Sequence, residues 1–483
     1  MRAFATLLCL CIAIPTHAFG QALPDLGEGS GGVLAPQMER KIGDGILREI
    51  RQREPSYLDD PEIAEYLNQL GSRLVAVVPG ARLDFEFFAM RDSSINAFAL
   101  PGGYIGVHTG LLTAADSESE VASVLSHEIA HVTQRHIARM LGTQQQMALP
   151  GLIALAAALL LGRSRPDLAQ GAIMAAQGAA VQAQLSYSRD FEREADRVGF
   201  QTLNAAGFDV RAMPAFFEKM LRTTRVMDDG SVPGYLRSHP VTTERIADTQ
   251  ARAASLPYRQ HPDSLDFHLV RAKLRAESID GPHAVTEFAA ALKDRRYANE
   301  IAARYGLAVA LLRTRQPREA EQELAKLGER SQASPMLVSL AARVRQAVGD
   351  GPGALAILKG GAARWPHQRP LVYAYADALN AQGRSDEALI VLEPQLRDHP
   401  RDERLHEMRA RAYAALGKRL RQHQAQAEVY ALRGSLPAAI EQLQLAQTSG
   451  DGNFYELSAV EARLKELRAE HVRDLKESQQ RRK

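Results

Sequence analysis

Three histidines fall within ten residues of the stretch S126-H-E-I-A-H-V-T-Q-R-H136. On an α-helix His127 and His131 lie about 40° apart on one face, so both imidazoles can reach one ion. His136 comes nine positions after His127, which on a continuous helix places it on about the opposite face, roughly 13 Å along the axis. The stretch therefore predicts a pair of metal ligands, His127 and His131, and excludes His136.

The letters H-E-x-x-H are those of a zinc pair with a candidate general base, here Glu128, between the two histidines. The capping pattern S117-E-S-E120 precedes the motif and predicts that a helix carries it. A metzincin is excluded, because its pattern needs glycine and histidine where this chain has Gln134 and Ile137. Two ordinary histidines on a polar helix face would show the same letters, so the motif needs support from other segments.

A hydrolytic zinc site needs three protein ligands and one open position for water. A carboxylate in Y187-S-R-D-F-E-R-E-A-D-R-V-G-F200 is the best candidate for the third ligand. Glu192 and Asp196 are four apart and share a helix face, so one can bind the metal while the other orients a ligand imidazole. Glu194 points about 200° away from Glu192 and is a weaker candidate. Without the upstream motif, this stretch would indicate only a salt-bridged surface helix.

Peptide hydrolysis also needs a group that stabilises the oxyanion formed when water attacks a carbonyl. The segment L236-R-S-H-P-V-T-T-E-R-I246 offers His239 and Arg245 as oxyanion or gating residues. His239 either donates to the oxyanion or occupies the open zinc position in a resting state. The alternative is that His239, which precedes a proline, is an ordinary loop residue.

Two stretches indicate β-strands near the motif. L83-D-F-E-F-F-A-M90 alternates aromatic residues, and N96-A-F-A-L-P-G-G-Y-I-G-V-H108 reads as a second strand. Pro101 within the second stretch suggests an edge strand or a bulge, although a plain hairpin with a Gly-Gly turn would explain it too. An edge strand can bind an extended substrate by main-chain hydrogen bonds. The residues expected to do so are Asn96, Ala97, Phe98 and Ala99.

The length of 483 residues suggests two to four domains, and the composition, 45% hydrophobic and 24% charged, is that of a globular protein. The formal charge of +2, from 59 basic and 57 acidic residues, provides no overall field for nucleic acid. The apolar run in M1-R-A-F-A-T-L-L-C-L-C-I-A-I-P-T-H-A18 predicts a cleaved signal peptide and export to the periplasm. Cys9 and Cys11 lie inside that segment, so any metal in the mature chain is bound by His, Asp or Glu.

The second half of the chain repeats with a period of 34 residues. Five columns of residues share that spacing: Ala308, Ala342, Ala376 and Ala410; Ala320, Ala354 and Ala388; Leu324, Leu358 and Leu392; Gly349, Gly383 and Gly417; Pro366 and Pro400. This period, with small residues where paired helices touch, predicts tetratricopeptide repeats. A concave repeat surface is suited to holding a protein partner.

The stretch M147-A-L-P-G-L-I-A-L-A-A-A-L-L-L161 is apolar but too short to span a bilayer comfortably. A buried or hairpin helix is the first interpretation, and a flap over the site or a peripheral membrane contact is the second. Beyond the signal peptide no segment reaches 18 consecutive apolar residues, which disfavours an intramembrane peptidase.

Four ordered motifs carry a resemblance to a known family: N96-A-F-A-L-P-G-G, H127-E-I-A-H, E192-R-E-A-D and S238-H-P-V-T-T-E-R. With these motifs in this order, the chain resembles the HtpX-like family of gluzincin metallopeptidases. The resemblance implies one Zn²⁺ per chain bound by His127, His131 and Glu192. It also implies that Glu128 is the catalytic base, that Asp196 supports a ligand and that His239 regulates access to the metal.

Together with the signal peptide and the repeats, this resemblance implies a periplasmic metalloprotease and chaperone of outer-membrane protein assembly. Its expected clients are misfolded or stalled outer-membrane proteins, and its expected partner is the assembly machinery, bound through the repeats. A protein that works mainly as a chaperone or scaffold, with a closed or gated metal site, is the alternative.

The expected fold is an α+β zinc metalloprotease domain, mainly helical with a small edge-exposed sheet, followed by an all-α tetratricopeptide-repeat solenoid. The expected domains are a signal peptide at 1–20, a flexible leader at 21–36, the metallopeptidase domain at 37–260, the repeat domain at 261–458 and a charged C-terminal helix at 459–483.

Overall fold

The computed structural model describes residues 34–80, 83–142, 189–226 and 234–480. The predicted signal peptide at 1–20, most of the predicted leader and the apolar stretch at 147–161 lie outside the described residues. Of the leader expected at 21–36, the last residue already begins the first helix.

The N-terminal half is mainly helical with one small sheet. Its elements are α1 (Pro36–Arg53), β1 (Tyr57–Leu58), α2 (Pro61–Val75), β2 (Glu86–Met90), β3 (Ala97–Leu100), β4 (Tyr104–His108), α3 (Thr109–Ala114), α4 (Glu118–Thr133), α5 (His136–Gly142), α6 (Arg189–Ala205), α7 (Ala212–Val226), α8 (Gly234–Ser238) and α9 (Thr243–Ala254). The strands lie in the order β1-β2-β4-β3, so β3 forms one edge of the sheet. β4 pairs parallel with β2 and antiparallel with β3.

The stretch expected to form one strand from Asn96 to His108 is a hairpin instead. β3 and β4 pair in register from Ala97↔Val107 to Leu100↔Tyr104. Pro101 lies in the turn between them, where Gly102 and Gly103 adopt positive φ angles of 79° and 97°. Only glycine takes such angles readily, so the Gly-Gly pair closes the hairpin. The single-strand interpretation was therefore wrong, whereas its alternative, a hairpin with a Gly-Gly turn, and the prediction of an edge strand at this position are confirmed.

Helix α4 lies at the centre of this half, in contact with α2, β3, α6 and α7. It begins where predicted, because the Ser117 side chain accepts a hydrogen bond from the Glu120 amide. Every residue from Glu118 to Val132 is buried, the polar ones included. A helix that is buried on all sides and still carries histidines and glutamates has to satisfy them internally, which concentrates the polar chemistry of this half around α4.

The C-terminal half is an array of helix pairs. Its elements are α10 (Leu265–Ser278), α11 (Gly281–Lys293), α12 (Glu300–Arg313), α13 (Pro317–Ala325), α14 (Pro335–Ala347), α15 (Gly351–Arg364), α16 (Arg369–Ala381), α17 (Ser385–Asp398), α18 (Glu403–Ala415), α19 (Arg419–Leu432), α20 (Leu436–Gln447) and α21 (Phe454–Gln480). A short 3₁₀ helix at Gly328–Gln332 follows α13. The predicted fold class, an α+β domain followed by an all-α solenoid, is confirmed.

The 34-residue columns have a direct structural meaning. The recurring alanines are buried at the contacts between helices; Ala308, Ala320, Ala354, Ala376 and Ala388 are each 0% exposed. The recurring glycines at 349, 383 and 417 follow the first helix of each pair with positive φ angles of 90°, 72° and 69°. The columns therefore mark the helix contacts and the turns of the solenoid.

The two halves pack against each other, although the segment 257–260 that joins them is exposed. One apolar core extends from Leu58 in β1 to Val344 in α14, across the predicted domain boundary at 260. Farther along the solenoid, Arg369 contacts Glu65 and Arg404 contacts Asp59, both in the N-terminal half. The solenoid thus curves back onto the first domain. Among the helices of the described residues, none is long and apolar enough to cross a membrane.

Candidate metal centre

Helix α4 presents His127 and His131 side by side. The ring centroids are 4.7 Å apart, and the two Nε2 atoms are separated by 3.0 Å. Both side chains are almost completely buried, at 1% and 0% exposure. Two Nε2 lone pairs can face each other this closely only when a proton or a cation lies between them.

Helix α6 brings a carboxylate to the same point. Glu192 Oε2 lies 3.4 Å from His127 Nε2, and Glu192 Oε1 lies 3.5 Å from His131 Nε2. The helices approach closely because Gly199 faces α4; a Cβ atom there would lie 3.0 Å from the His127 nitrogen and the Ser126 carbonyl oxygen. A side chain at this position would push α6, and Glu192 with it, away from the histidines.

His239, at the end of α8, completes the group. Its Nδ1 atom lies 2.9 Å from Glu192 Oε1 and 3.4 Å from His127 Nε2. One ligand atom from each of His127, His131, Glu192 and His239 lies within 4.8 Å of the others. For an ion with Zn–N bonds of about 2.0–2.1 Å, tetrahedral geometry places ligand nitrogens about 3.3 Å apart. The separations of 3.0 and 3.4 Å fit such a metal.

The electrostatics of the cluster favour positive charge at its centre. Burial alone would lower the pKa of His127, but hydrogen bonds to Asp196 and Glu192 outweigh it and raise the pKa to about 9. Burial dominates at His131 and holds its pKa well below the usual value. Burial would raise the pKa of Glu192, yet His239 and hydrogen bonds from the three imidazoles keep that pKa well below its usual range. An ionised carboxylate among imidazoles is the donor set of a divalent metal.

Asp196 and Arg245 lie behind the ligand atoms. Asp196 Oδ1 is 3.0 Å from His127 Nδ1, the ring nitrogen that faces away from the cluster. Arg245 donates from Nε and Nη2 to the two oxygens of Asp196 at 2.6 and 2.7 Å, and its Nη1 lies 2.7 Å from Glu192 Oε2. Burial would raise the pKa of Asp196, but Arg245 holds it below the usual value. Arg245 therefore fixes both carboxylates that touch His127.

Glu128 is fully buried beside this group. Its Oε1 lies 3.5 Å from His239 Nε2, and burial raises the pKa of the carboxyl, against the opposing effects of His239, His127 and the Ala99 backbone. The influence of Ala99 places the edge strand β3 next to Glu128. A carboxyl with a raised pKa in a buried site is suited to general acid–base chemistry.

The edge of β3 that faces away from the sheet presents main-chain groups that take no part in the pairing with β4. His108 donates to the carbonyl of Asn96 at 3.0 Å, so position 96 is a hydrogen-bonded pair of this antiparallel ladder. In the alternation of such ladders, the N–H and C=O groups of Ala97 and Ala99 then point away from β4. These groups form an edge beside α4 to which an extended peptide can pair.

Comparison with known proteins finds relatives along most of the chain. The sequence profile of peptidase family M48 matches residues 61–253, and a tetratricopeptide-repeat profile matches residues 346–412. A relative from Vibrio cholerae is 34% identical over 90% of this chain and 91% of its own length. The beta-barrel assembly-enhancing proteases of Yersinia pestis and Escherichia coli (strain K12) are 32% and 31% identical, each over 92% of this chain and 91% of their own length. The chain belongs to peptidase family M48. It is a metalloprotease.

The motif helix α4 supplies two of the converging donors, His127 and His131. The structure brings together the residues predicted as ligands, His127, His131 and Glu192, and places His239 among them. It places Asp196 behind His127 and Glu128 beside the cluster. Arg245, predicted as an oxyanion or gating residue, lies against the carboxylates of Glu192 and Asp196. In this position it supports the side chains that touch His127.

His136 does not lie on the helix face opposite His127, where an unbroken helix would place it. The helix that begins at Glu118 ends at Thr133, and Arg135 has a φ angle of 55° that turns the chain before α5. His136 thereby lies with Nδ1 2.9 Å from His131 Nδ1. The prediction of the opposite face was wrong because it assumed an unbroken helix. No sequence signal marks the break, since arginine has no preference for positive φ.

Tyr235 is a second residue that sequence reasoning missed. It is 0% exposed, and its ring stacks on His239 with centroids 4.7 Å apart. Its hydroxyl has no hydrogen-bond partner among the described residues. The sequence offers only its spacing as a signal, because Tyr235 precedes His239 by four residues, about one helical turn.

Proposed function

We propose that this chain is a zinc-dependent endopeptidase in which His127, His131 and Glu192 hold the metal. The observation that carries the proposal is the convergence of these buried donors with His239 within 4.8 Å. Zinc is the metal best suited to histidine and carboxylate ligands in a buried four-donor site. The mature chain predicted from the sequence has no thiolate that would favour another soft metal.

In the proposed mechanism the metal, when bound, activates a water molecule and polarises the scissile carbonyl. Glu128 takes the proton of the attacking water and later passes it to the leaving amine. Its position beside His239 and its raised pKa support this role. Asp196 and Arg245 keep His127 and Glu192 oriented throughout the reaction. Because these ligands are already in place, no free energy is spent on reorienting them in the transition state.

The substrate is proposed to bind as an added strand along β3. The outward main-chain groups of Ala97 and Ala99 supply hydrogen bonds that do not depend on the substrate's side chains. Such binding suits unfolded chains, because an extended segment is available only where a protein has lost its fold. The residues assigned to this strand remain Asn96, Ala97, Phe98 and Ala99.

His239 is proposed to gate the centre. Its Nδ1 contacts Glu192, as the ligand histidines do, and its Nε2 faces Glu128. His239 therefore fills the position that a hydrolytic site keeps open for water. Movement of His239 would free that position and bring its ring close to the developing oxyanion. This arrangement is also the observation that favours the alternative function, a chaperone or scaffold whose metal site stays closed.

The proposed setting is the assembly of outer-membrane proteins in the periplasm. Two relatives that match this chain almost end to end are named beta-barrel assembly-enhancing proteases. We propose that the predicted signal peptide exports the chain, that misfolded or stalled outer-membrane proteins are its clients, and that the repeats bind the assembly machinery. The domain limits are proposed as 37–260 for the peptidase, 261–458 for the repeats and 459–483 for the C-terminal segment, whose helix begins five residues earlier at Phe454.

Degradation of an unfolded, cysteine-free test protein by the purified mature chain tests this proposal. Cleavage is expected to stop when a zinc chelator is added and to resume when zinc is restored. The Glu128→Gln variant, which leaves the ligands unchanged, is expected to be inactive with normal zinc content. Zinc-bound wild-type protein that cleaves nothing would support the scaffold alternative. Cleavage that persists in Glu128→Gln would contradict the mechanism.

A further inference from the structure

A second group of side chains packs behind His131. His136 Nδ1 lies 2.9 Å from His131 Nδ1, and His136 Nε2 lies 3.1 Å from Glu194 Oε2. Phe191 stacks on the His136 ring with centroids 4.6 Å apart and planes inclined by 10°. Arg139 donates to the same Glu194 oxygen at 2.9 Å. His136 is completely buried, whereas the Glu194 side chain is 28% exposed at the rim.

We propose that His136 and Glu194 are positioning residues that fix the tautomer and orientation of His131 at the metal. The inference rests on the proposed role of His131 as a ligand. An imidazole that binds a metal through Nε2 carries its proton on Nδ1 and needs an acceptor for it. His136 supplies that acceptor at Nδ1.

The proton positions in this chain of hydrogen bonds follow from the chemistry of the groups. His136 Nδ1 can accept from His131 only when the proton of His136 is on Nε2. Nε2 then donates to the Glu194 carboxylate, which also accepts from Arg139. Two neutral imidazoles and one ionised carboxylate satisfy these three hydrogen bonds. The relay His131–His136–Glu194 thus presents the Nε2 lone pair of His131 to the centre.

His127, the other proposed ligand histidine, is also held through its Nδ1 atom, but without an intervening side chain. Asp196 reaches His127 Nδ1 directly at 3.0 Å. Glu194 is two residues from Glu192 and points to another side of α6, so its carboxylate reaches His131 only through an intervening group. The turn at Arg135 places His136 in that gap. One helix, α6, therefore supplies a ligand and the carboxylates that support both ligand histidines.

The inference is tested on the full mature chain with His136→Phe and Glu194→Leu. Phenylalanine keeps a ring to stack on Phe191 but removes both nitrogens. Glu194→Leu removes the end of the relay without touching His131, and its partly exposed position makes it the variant that folds most readily. The matched control is His406→Phe, the same change at a buried histidine of the solenoid.

Zinc affinity and release are measured by competition with a chromophoric chelator, and the visible absorption of the cobalt-substituted protein reports ligand geometry. Both relay variants are expected to bind zinc about 10–100-fold more weakly and to change the cobalt spectrum, whereas His406→Phe changes neither. Glu194→Gln, which keeps an acceptor oxygen, is expected to recover part of the loss.

Separate outcomes identify which part of the account fails. Wild-type affinity and spectra in both relay variants, with metal lost in His131→Ala, would overturn the relay and leave the proposed metal centre intact. Metal retained in His131→Ala would overturn the ligand assignment and the relay together. If His136→Phe weakened zinc binding while Glu194→Leu left it unchanged, His136 would have only a packing role. This result would also overturn the relay.

Discussion

The metal centre and the helix contacts of the repeat array are both buried, but opposite kinds of side chain form them. In the centre His127, Glu128, His131 and Glu192 are at most 1% exposed, and each lies against a charged or titratable partner. In the array the recurring buried residues are alanine and leucine. Changing one member of a buried charged group leaves its partners unpaired, whereas enlarging an alanine leaves no space for the added atoms. Substitutions should therefore impair chemistry in the first region and stability in the second.

The largest expected effect is the loss of cooperative folding when the chain is cut inside the core that the two regions share. A chain that ends at Arg296 loses core residues such as Tyr305 and Leu340, while one that ends at Ala347 keeps them. Each large buried side chain stabilises a fold by about 1.5–3 kcal/mol, against a total of about 5–15 kcal/mol. We expect a cooperative thermal transition in the longer chain and none in the shorter one, measured by circular dichroism. Equal transitions in both would show that the peptidase core ends before the solenoid.

Within the metal centre, Glu192→Gln should have the next largest effect. The change removes the one negative charge among the converging donors, so zinc affinity should fall by more than the roughly 10–100-fold expected for a residue that only orients a ligand. Metal content after dialysis against a weak chelator measures the loss. Glu218→Gln, at a carboxylate outside the centre on α7, is the control. Full zinc occupancy in Glu192→Gln would contradict its assignment as the third ligand.

Ala376→Leu should destabilise the solenoid without affecting the chemistry. Ala376 is 0% exposed at a helix contact, and overpacking of this kind costs about 1–3 kcal/mol. Ala381→Leu, at an exposed position of the same helix, should change the free energy of unfolding by no more than about 0.5 kcal/mol. Chemical denaturation measures both, and zinc content should stay normal. Loss of zinc in Ala376→Leu would break the separation between the two regions.

The smallest expected effect is at the contact between the regions. Arg404 bonds Asp59 across the interface at 2.7 Å, but both side chains are partly exposed, so the pair should contribute only about 0.2–1 kcal/mol. Arg404→Ala should lower stability slightly, and the difference should vanish in high salt. Arg411→Ala, which breaks a pair within the solenoid, is the control. A difference from wild type that persists unchanged in high salt would show that packing, rather than charge, holds the solenoid to the peptidase.

Local and periodic features could be predicted from the sequence. Helical geometry alone pairs His127 with His131 and Glu192 with Asp196, because residues four apart share a face. The 34-residue columns identify the solenoid since each repeat has to make the same contacts. The turn at Pro101 could not be assigned from the sequence, because an edge strand and a hairpin share their sequence signals.

Features that depend on distant contacts could not be predicted. The role of His136 depends on a helix break at Arg135, a residue type that does not favour the left-handed conformation it adopts. The close approach of α4 and α6 depends on Gly199, whose position shows no local signal. The return of Arg369 and Arg404 to the peptidase follows from the accumulated curvature of the repeats, which no single repeat encodes.

The central claim is that one metal ion lies among buried side chains of α4 and α6. Anomalous diffraction at the zinc absorption edge, from crystals of the mature chain, tests it most directly. The account predicts one zinc ion per chain, about 2.0–2.2 Å from His127 Nε2, His131 Nε2 and a Glu192 oxygen. A zinc ion bound elsewhere, or none at these three side chains in zinc-loaded crystals, would contradict it.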